Sequence, residues 1–257
     1  MLTPPEIARS LLAAGESKAR LPFGKMLLLA ILAGAYIALA GVGATAAAVT
    51  VESGSLAKLL SACVFPAGLS MVILAGSELF TGNCLMVMAL LERRITPAQL
   101  LRNWLTVYLG NAVGGAAVAA LAVYSHTASL FGDGLARSMV SIAESKAALG
   151  FGDAFLRGVL CNFLVCLAVW MAAASKRAEG KVIALFFPIL LFVLCGYEHC
   201  IANLYYLPAG AFAAAEYAME TTLTLAGCLE NLAAVTLGNL VGGAALGVGY
   251  RFAYLKE

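Results

Sequence analysis

Apolar residues along this chain do not alternate with polar ones. They form long blocks near 24–49, 57–91, 101–124, 151–175, 181–207 and 228–250, separated by short stretches that hold most of the charge. A helix crossing the hydrocarbon of a bilayer needs about 20 mostly apolar residues, so each block reads as one transmembrane helix, six in all. The second and fifth blocks are long, and each carries a polar cluster in mid-run, Gly76 to Asn83 and Gly196 to Asn203. Ahead of the first block, Pro4 to Ala19 reads as a short interfacial helix with Ile7, Leu11 and Leu12 on its apolar side. The charges Glu6, Arg9, Glu16, Lys18 and Arg20 argue against a cleaved signal there.

The blocks repeat. A shift of 128 residues lays Phe23-Gly24 on Phe151-Gly152 and Asn103 on Asn231. The same shift lays Leu109-Gly110-Asn111 on Leu237-Gly238-Asn239, and Val113-Gly114-Gly115-Ala116 on Val241-Gly242-Gly243-Ala244. For the second and fifth blocks the shift is 120, and Gly76, Glu78 and Asn83 meet Gly196, Glu198 and Asn203 in a shared G-x-E-x-x-x-x-N. The order is therefore span, broken span, glycine-rich span, twice. Three spans per copy force the copies to enter from opposite faces, an inverted 3+3 repeat with copy A at about 20–125 and copy B at about 148–255. The expected fold is an all-α integral membrane protein, one transmembrane domain over residues 1–257 with the second and fifth helices broken.

Composition and charge sharpen this picture. With 62% hydrophobic residues, 12% charged and a mean hydropathy of +0.93, the chain cannot bury its apolar side chains in one water-soluble core. Soluble enzymes and nucleic-acid binders drop out. Basic residues cluster before the first block (Arg9, Lys18, Arg20, Lys25), after the second (Arg93, Arg94, Arg102) and after the fourth (Lys176, Arg177, Lys181), which puts both termini on the cytoplasmic side of the cell (inner) membrane. Tyr124, Tyr205, Tyr206 and Tyr217 then fit an outer aromatic belt. The seven cysteines, without a C-x-x-C pair, read as buried apolar side chains rather than as disulfides or a metal site.

Charge inside the membrane marks function. Glu78 and Glu198 sit in the two polar clusters, where their carboxyl groups and the amides of Asn83 and Asn203 are placed to satisfy backbone groups freed by the helix breaks. His199 stands beside Glu198 and is the side chain best suited to exchange a proton near neutral pH. Its repeat partner is Leu79, and Thr81 supplies a hydroxyl across the same axis. Gly110-x-x-x-Gly114 and Gly238-x-x-x-Gly242 read as close helix contacts.

At these residues the sequence resembles the formate/nitrite transporter family over about residues 5–255. The likeness is carried by AGSELFTGN at 75–83, CNFLVCLAVWM at 161–171, GYEHCIANLYYLP at 196–208 and VTLGNLVGG at 235–243. The resemblance implies a homopentamer of aquaporin-like protomers, each an anion channel for formate, nitrite, hydrosulfide or a similar small monovalent anion, with no cofactor and no metal. It implies that Leu79, Phe80 and Thr81 form a mobile loop, with His199 facing Thr81 across a central chamber joined by Asn162. It further implies an outer constriction of Phe65, Phe80 and Val165, an inner one of Leu69, Leu79 and Phe192, and a vestibule lysine, Lys146, that attracts anions.

Crossing two apolar constrictions costs a bare anion far more than its neutral acid. The expected mechanism therefore has Lys146 draw the anion in and His199 deliver a proton. Formate is the expected substrate, with nitrite and hydrosulfide as alternatives within the family. A proton-coupled secondary carrier of short monocarboxylates is the alternative from another class. A neutral-solute channel of the water/glycerol type would carry Asn-Pro-Ala at both breaks, and none of the seven prolines here follows an asparagine. A membrane enzyme would need a nucleophile–base pair or a metal cluster, and the motifs supply neither.

Overall fold

Proline and glycine set where the helices start and stop. In the computed structural model, which describes residues 1–256, α1 spans Pro4–Ala19, α2 Phe23–Ala48, α3 Gly54–Val64, α4 Pro66–Ala75, α5 Phe80–Asn83 and α6 Val87–Leu91. They are followed by α7 Pro97–Tyr124, α8 Gly134–Ala147, α9 Phe151–Ala173, α10 Ala178–Leu194, α11 Cys200–Glu216 and α12 Leu225–Tyr254. There is no strand among the described residues. Helix α7 begins Thr96-Pro97, with proline where its missing N–H costs nothing, and a capping box closes on Gln99: Thr96 Oγ1 accepts from the Gln99 N–H at 3.2 Å and Gln99 Oε1 from the Thr96 N–H at 2.8 Å.

Five helices are long and apolar enough to cross a membrane: α2, the run Gly54–Ala75 made by α3 and α4, α7, α9 and α12. The fifth apolar block of the sequence is instead two helices of 17 residues each, α10 and α11, and α11 continues to Glu216, well past the expected end. Both breaks have one recipe. Gly76 and Gly196 take left-handed φ values of 80° and 68°, a conformation that residues with a Cβ avoid. Behind them the N–H of Ser77 returns to the Val72 carbonyl (2.9 Å) and that of Tyr197 to the Phe192 carbonyl (3.0 Å), closing each helix end. The backbone then runs extended to Leu79 (φ −111°, ψ 123°) and His199 (φ −114°, ψ 113°), and the next helix starts one residue later. Phe80 and Thr81 are consequently in the first turn of α5, not in a loop.

Packing is tightest where α2 meets α7 and α9 meets α12. A Cβ on Gly114 would overlap the Ile31 carbonyl oxygen, and one on Gly242 the Val159 carbonyl oxygen, so only glycine permits these approaches. Three expectations about surfaces change. The apolar side of α1 packs on the protein, with Ile7 and Ala8 against Met88, Trp170 and Ala174, rather than on lipid headgroups. Tyr205 is fully buried beneath Gly41 and belongs to no aromatic belt. Of the cysteines, Cys63 and Cys195 are exposed and Cys228 is half-buried, while the other four are buried.

Candidate functional site

A helix break inside an apolar body leaves N–H and C=O groups without partners, each a cost of about 1–3 kcal/mol if unmet. One asparagine meets them at each break. Asn111, from α7, accepts from the Phe80 N–H at 3.0 Å and donates to the carbonyls of Glu78 (2.9 Å) and Ala30 (2.7 Å). Asn239, from α12, accepts from the Cys200 N–H at 2.9 Å and donates to the carbonyls of Glu198 (2.9 Å) and Gly158 (2.8 Å). The chain folds this way locally because both asparagines lie beside the glycines that bring α7 and α12 within reach. The expectation that Glu78, Asn83, Glu198 and Asn203 hold the freed backbone is thus corrected: the signal was Leu-Gly-Asn in both copies, read there only as a packing motif.

The carboxylates bind side chains instead. Glu78 accepts from Asn83 (2.8 Å) and from Lys18 (2.8 Å), and Glu198 accepts from Asn203 (2.7 Å) and, through both oxygens, from Lys146 (3.0 Å each). Asn83 and Asn203 lean in turn on Asn103 (2.9 Å) and Asn231 (2.7 Å). Lys18 was not singled out from the sequence, yet the internal match includes it: Glu16-Ser17-Lys18-Ala19 recurs as Glu144-Ser145-Lys146-Ala147 at the same 128-residue shift. The two surface helices α1 and α8 each send one lysine to one buried carboxylate.

His199 is the N-cap of α11. Its Nδ1 accepts from the Ala202 N–H at 3.1 Å, and its Nε2 lies 3.0 Å from Thr81 Oγ1. An Nδ1 that accepts carries no hydrogen, so in the neutral ring the hydrogen is on Nε2 and is donated to Thr81. A second proton would have to break the cap. Asn162 does not face open space. Its amide donates to the carbonyls of Thr81 (3.2 Å) and Asn239 (2.7 Å) and so fixes the Thr81 backbone.

Three cavities follow one another past the histidine. One of about 130 Å³ is lined by Lys58, Lys146, Glu198 and His199 and narrows at Phe65 and Phe192. The next, about 10 Å³, lies among Phe65, Phe192, His199, Val165, Leu69 and Leu79. Beyond Leu69 and Leu79 opens a third of about 370 Å³, which reaches Lys18, Lys181 and Glu78. Phe192 meets the Phe65 ring edge to face at 5.7 Å and lines the small cavity together with Leu69 and Leu79. Phe80 leaves the expected outer constriction altogether. From the first turn of α5 its ring packs on Tyr108 (5.1 Å) and Trp104 (6.4 Å), away from the cavities. Neither Thr81 nor Asn162 is among the residues that line these three cavities.

Comparisons with known proteins give the family and the fold. The sequence profile of the family described as Formate/nitrite transporter matches residues 5–253. A "Probable formate transporter" of Methanothermobacter thermautotrophicus is 38% identical, covering 99% of this chain and 98% of the relative. "Formate channel FocA" of Escherichia coli K12 is 35% identical over 100% of this chain and 96% of its own length. Among solved structures, an "FNT family ion channel" superposes with a TM-score of 0.86 at 32% identity, covering 96% of this chain and 98% of that one. A "Pentameric formate channel with formate bound" does so with a TM-score of 0.81 at 33% identity, covering 91% and 98%. These relatives are membrane transport proteins and not enzymes. Profile, relatives and fold together make this multi-pass membrane protein a member of the formate/nitrite transporter family.

Proposed function

We propose that this protein is a channel for small monovalent anions, formate first among them, working as a homopentamer in the cell (inner) membrane with both termini cytoplasmic. Each chain is then a single channel domain of six spans in an aquaporin-like inverted 3+3 repeat, its second and fifth spans broken at Gly76–Leu79 and Gly196–His199. The observation that carries the reading is the row of three cavities, pinched at Phe65 with Phe192 and at Leu69 with Leu79, with His199 between the pinches. The names of the relatives, formate channels and transporters, support formate over nitrite or hydrosulfide.

The pinches select by desolvation. Removing a bare anion from water into an apolar passage costs far more than removing its neutral acid, so the solute crosses the middle as the weak acid. His199 is not the source of that proton, because its Nδ1 is engaged by Ala202 and its Nε2 hydrogen by Thr81. The proton comes from water at the mouth. His199, held from behind by the Thr81 hydroxyl, acts as the polar patch in the apolar passage. Asn162 keeps Thr81 in place through its carbonyl. Lys146, anchored by Glu198, and Val165 line the path on either side of the first pinch.

The test is a flux panel in proteoliposomes with labelled formate, nitrite, hydrosulfide, acetate and lactate at two pH values. Formate is expected to be fastest, and all fluxes of the weak acids rise as pH falls. His199→Asn is expected to slow formate about tenfold, the roughly 1.4 kcal/mol of one hydrogen bond lost from the polar patch, while keeping the pH dependence; a lost pH dependence would return the proton to His199. The closed central cavity favours a second reading, a proton-coupled carrier. A carrier is accelerated by formate on the far side of the membrane, and a channel is not.

A further inference from the structure

The central cavity has two kinds of wall. Phe65 and Phe192 also line the cavity on one side of it, and Leu69 and Leu79 the cavity on the other, so these four side chains are its ends. Ile37 from α2, Val165 from α9 and Ile189 from α10 line the central space and neither neighbour, so they are its sides. The ends are Phe and Leu, which have more than one χ1 open to them. The sides are all β-branched and all helical, a combination that leaves one strongly preferred χ1.

The sides are also held from behind. Each of the three is at most 2% exposed, in an interior packed too densely for a side chain to draw back. Behind Ile37 the backbone of α4 comes close: a Cβ on Gly68 would stand 3.2 Å from the Ile37 Cδ1 and 3.3 Å from its Cα. The repeat accounts for the arrangement. Ile37 falls on Val165 at the 128-residue shift, and Leu69 falls on Ile189 at the 120-residue shift. The cavity therefore lies between matching positions of the two copies, and its one unlike pair is Leu79 with His199.

A space of about 10 Å³ has room for about one water, and formic acid is larger, so a passing acid must push something aside. The ends can turn and the sides cannot. We infer that Ile37 and Ile189 are specificity-determining residues of the pore: with Val165 they form a stiff collar that grades solutes by girth. This rests on the channel reading above, in which the pinches separate neutral acid from anion. The collar adds a second selection, small acid from larger acid. Formic acid asks for the least give, acetic acid adds a methyl group, and lactic acid adds more.

The experiment measures tracer flux of formate, acetate and lactate in proteoliposomes, each supplied at the same concentration of neutral acid. One methylene in an apolar pocket changes discrimination about 10- to 200-fold, and ends that yield keep the effect at the low edge, so Ile37→Val and Ile189→Val are each expected to raise the acetate-to-formate ratio about tenfold. Lactate should gain less than acetate. Ile37→Val combined with Val165→Ile moves the methylene to the repeat mate and is expected to bring the ratio back. Val72→Ala removes more bulk, but from the large cavity beyond Leu69 and Leu79, and should leave the ratio where it was. Unchanged ratios in both single variants overturn the inference, as does a ratio that stays raised in the double variant or rises as far in Val72→Ala. Unaltered protein that moves none of the three acids would instead bring down the channel reading itself.

Discussion

The first break, Gly76–Leu79, and the second, Gly196–His199, have the same skeleton and differ in two side chains, Ser77 against Tyr197 and Leu79 against His199. Both stop a helix on a left-handed glycine, both run extended, and each is pinned by one asparagine through three hydrogen bonds. At the start of the next helix, Leu79 and His199 have φ within 3° and ψ within 10° of each other (−111°, 123° against −114°, 113°). The backbone does not need an imidazole to take that shape. Whatever the two breaks share is therefore scaffold, and of the positions where they differ His199 lines the two cavities on either side of the Phe65 and Phe192 pinch.

The strongest way to break this comparison is to remove a clamp. Asn111→Ala and Asn239→Ala each strand two backbone groups of the break, a loss of about 2–6 kcal/mol in a fold whose whole margin is about 5–15 kcal/mol. Neither variant is expected to give a monodisperse peak on size-exclusion chromatography in detergent. If one of them folds normally, the two breaks are not equivalent scaffolds. A smaller effect separates the two ion pairs. Lys146→Met leaves Glu198 charged and dry, at about 3–5 kcal/mol. Lys18→Met should cost less, because Lys18 is 29% exposed against 15% for Lys146 and water can replace it more readily. Thermal unfolding checks the order, and equal losses would mean the carboxylates are equally shielded.

The smallest effect compares the repeat partners Glu144 and Glu16 outside the spans. Glu144 accepts from the Thr222 N–H (2.7 Å) and the Thr221 hydroxyl (2.9 Å), which hold its carboxyl below the ordinary 4.5. Glu16 has only arginines at 3.7–3.9 Å. A carboxyl lowered in the folded state stabilises above the ordinary value, and that help is lost as pH falls through its folded value. The melting temperature of Glu144→Gln should lie slightly below that of the unaltered protein at pH 7, with the gap closing as pH falls below 4.5. A gap that widens on acidification contradicts the assignment.

Hydropathy marks the five apolar spans, and each G-x-E-x-x-x-x-N motif begins where one helix stops and runs into the next, because burial in lipid and a polar cluster at depth leave marks in composition. Side-chain direction left none. Phe80 reads as a pore residue if residues 79–81 are a loop, but helix α5 begins at Phe80 and its phase turns the ring toward Tyr108. Asn162 does lie against Thr81, but the sequence does not show that both its donors go to carbonyls of distant elements, a fact of tertiary contact. Lys18 was legible and overlooked, since a four-residue identity in a short amphipathic helix is weak beside a 20-residue apolar block. Asn111 and Asn239 were aligned correctly and assigned too little.

The central cavity of about 10 Å³ has a consequence for the cell that houses it. A membrane that stores energy as a proton gradient tolerates a permanent pore only if protons do not leak through it. Such leakage needs an unbroken file of waters passing hydrogens hand to hand, and this space has room for about one. The imidazole beside it offers no relay, with Nδ1 committed to Ala202 and the Nε2 hydrogen to Thr81. On the channel reading proposed above, the passage at rest is an insulator, and the gradient would be drawn on only in step with each acid molecule that carries its own proton across.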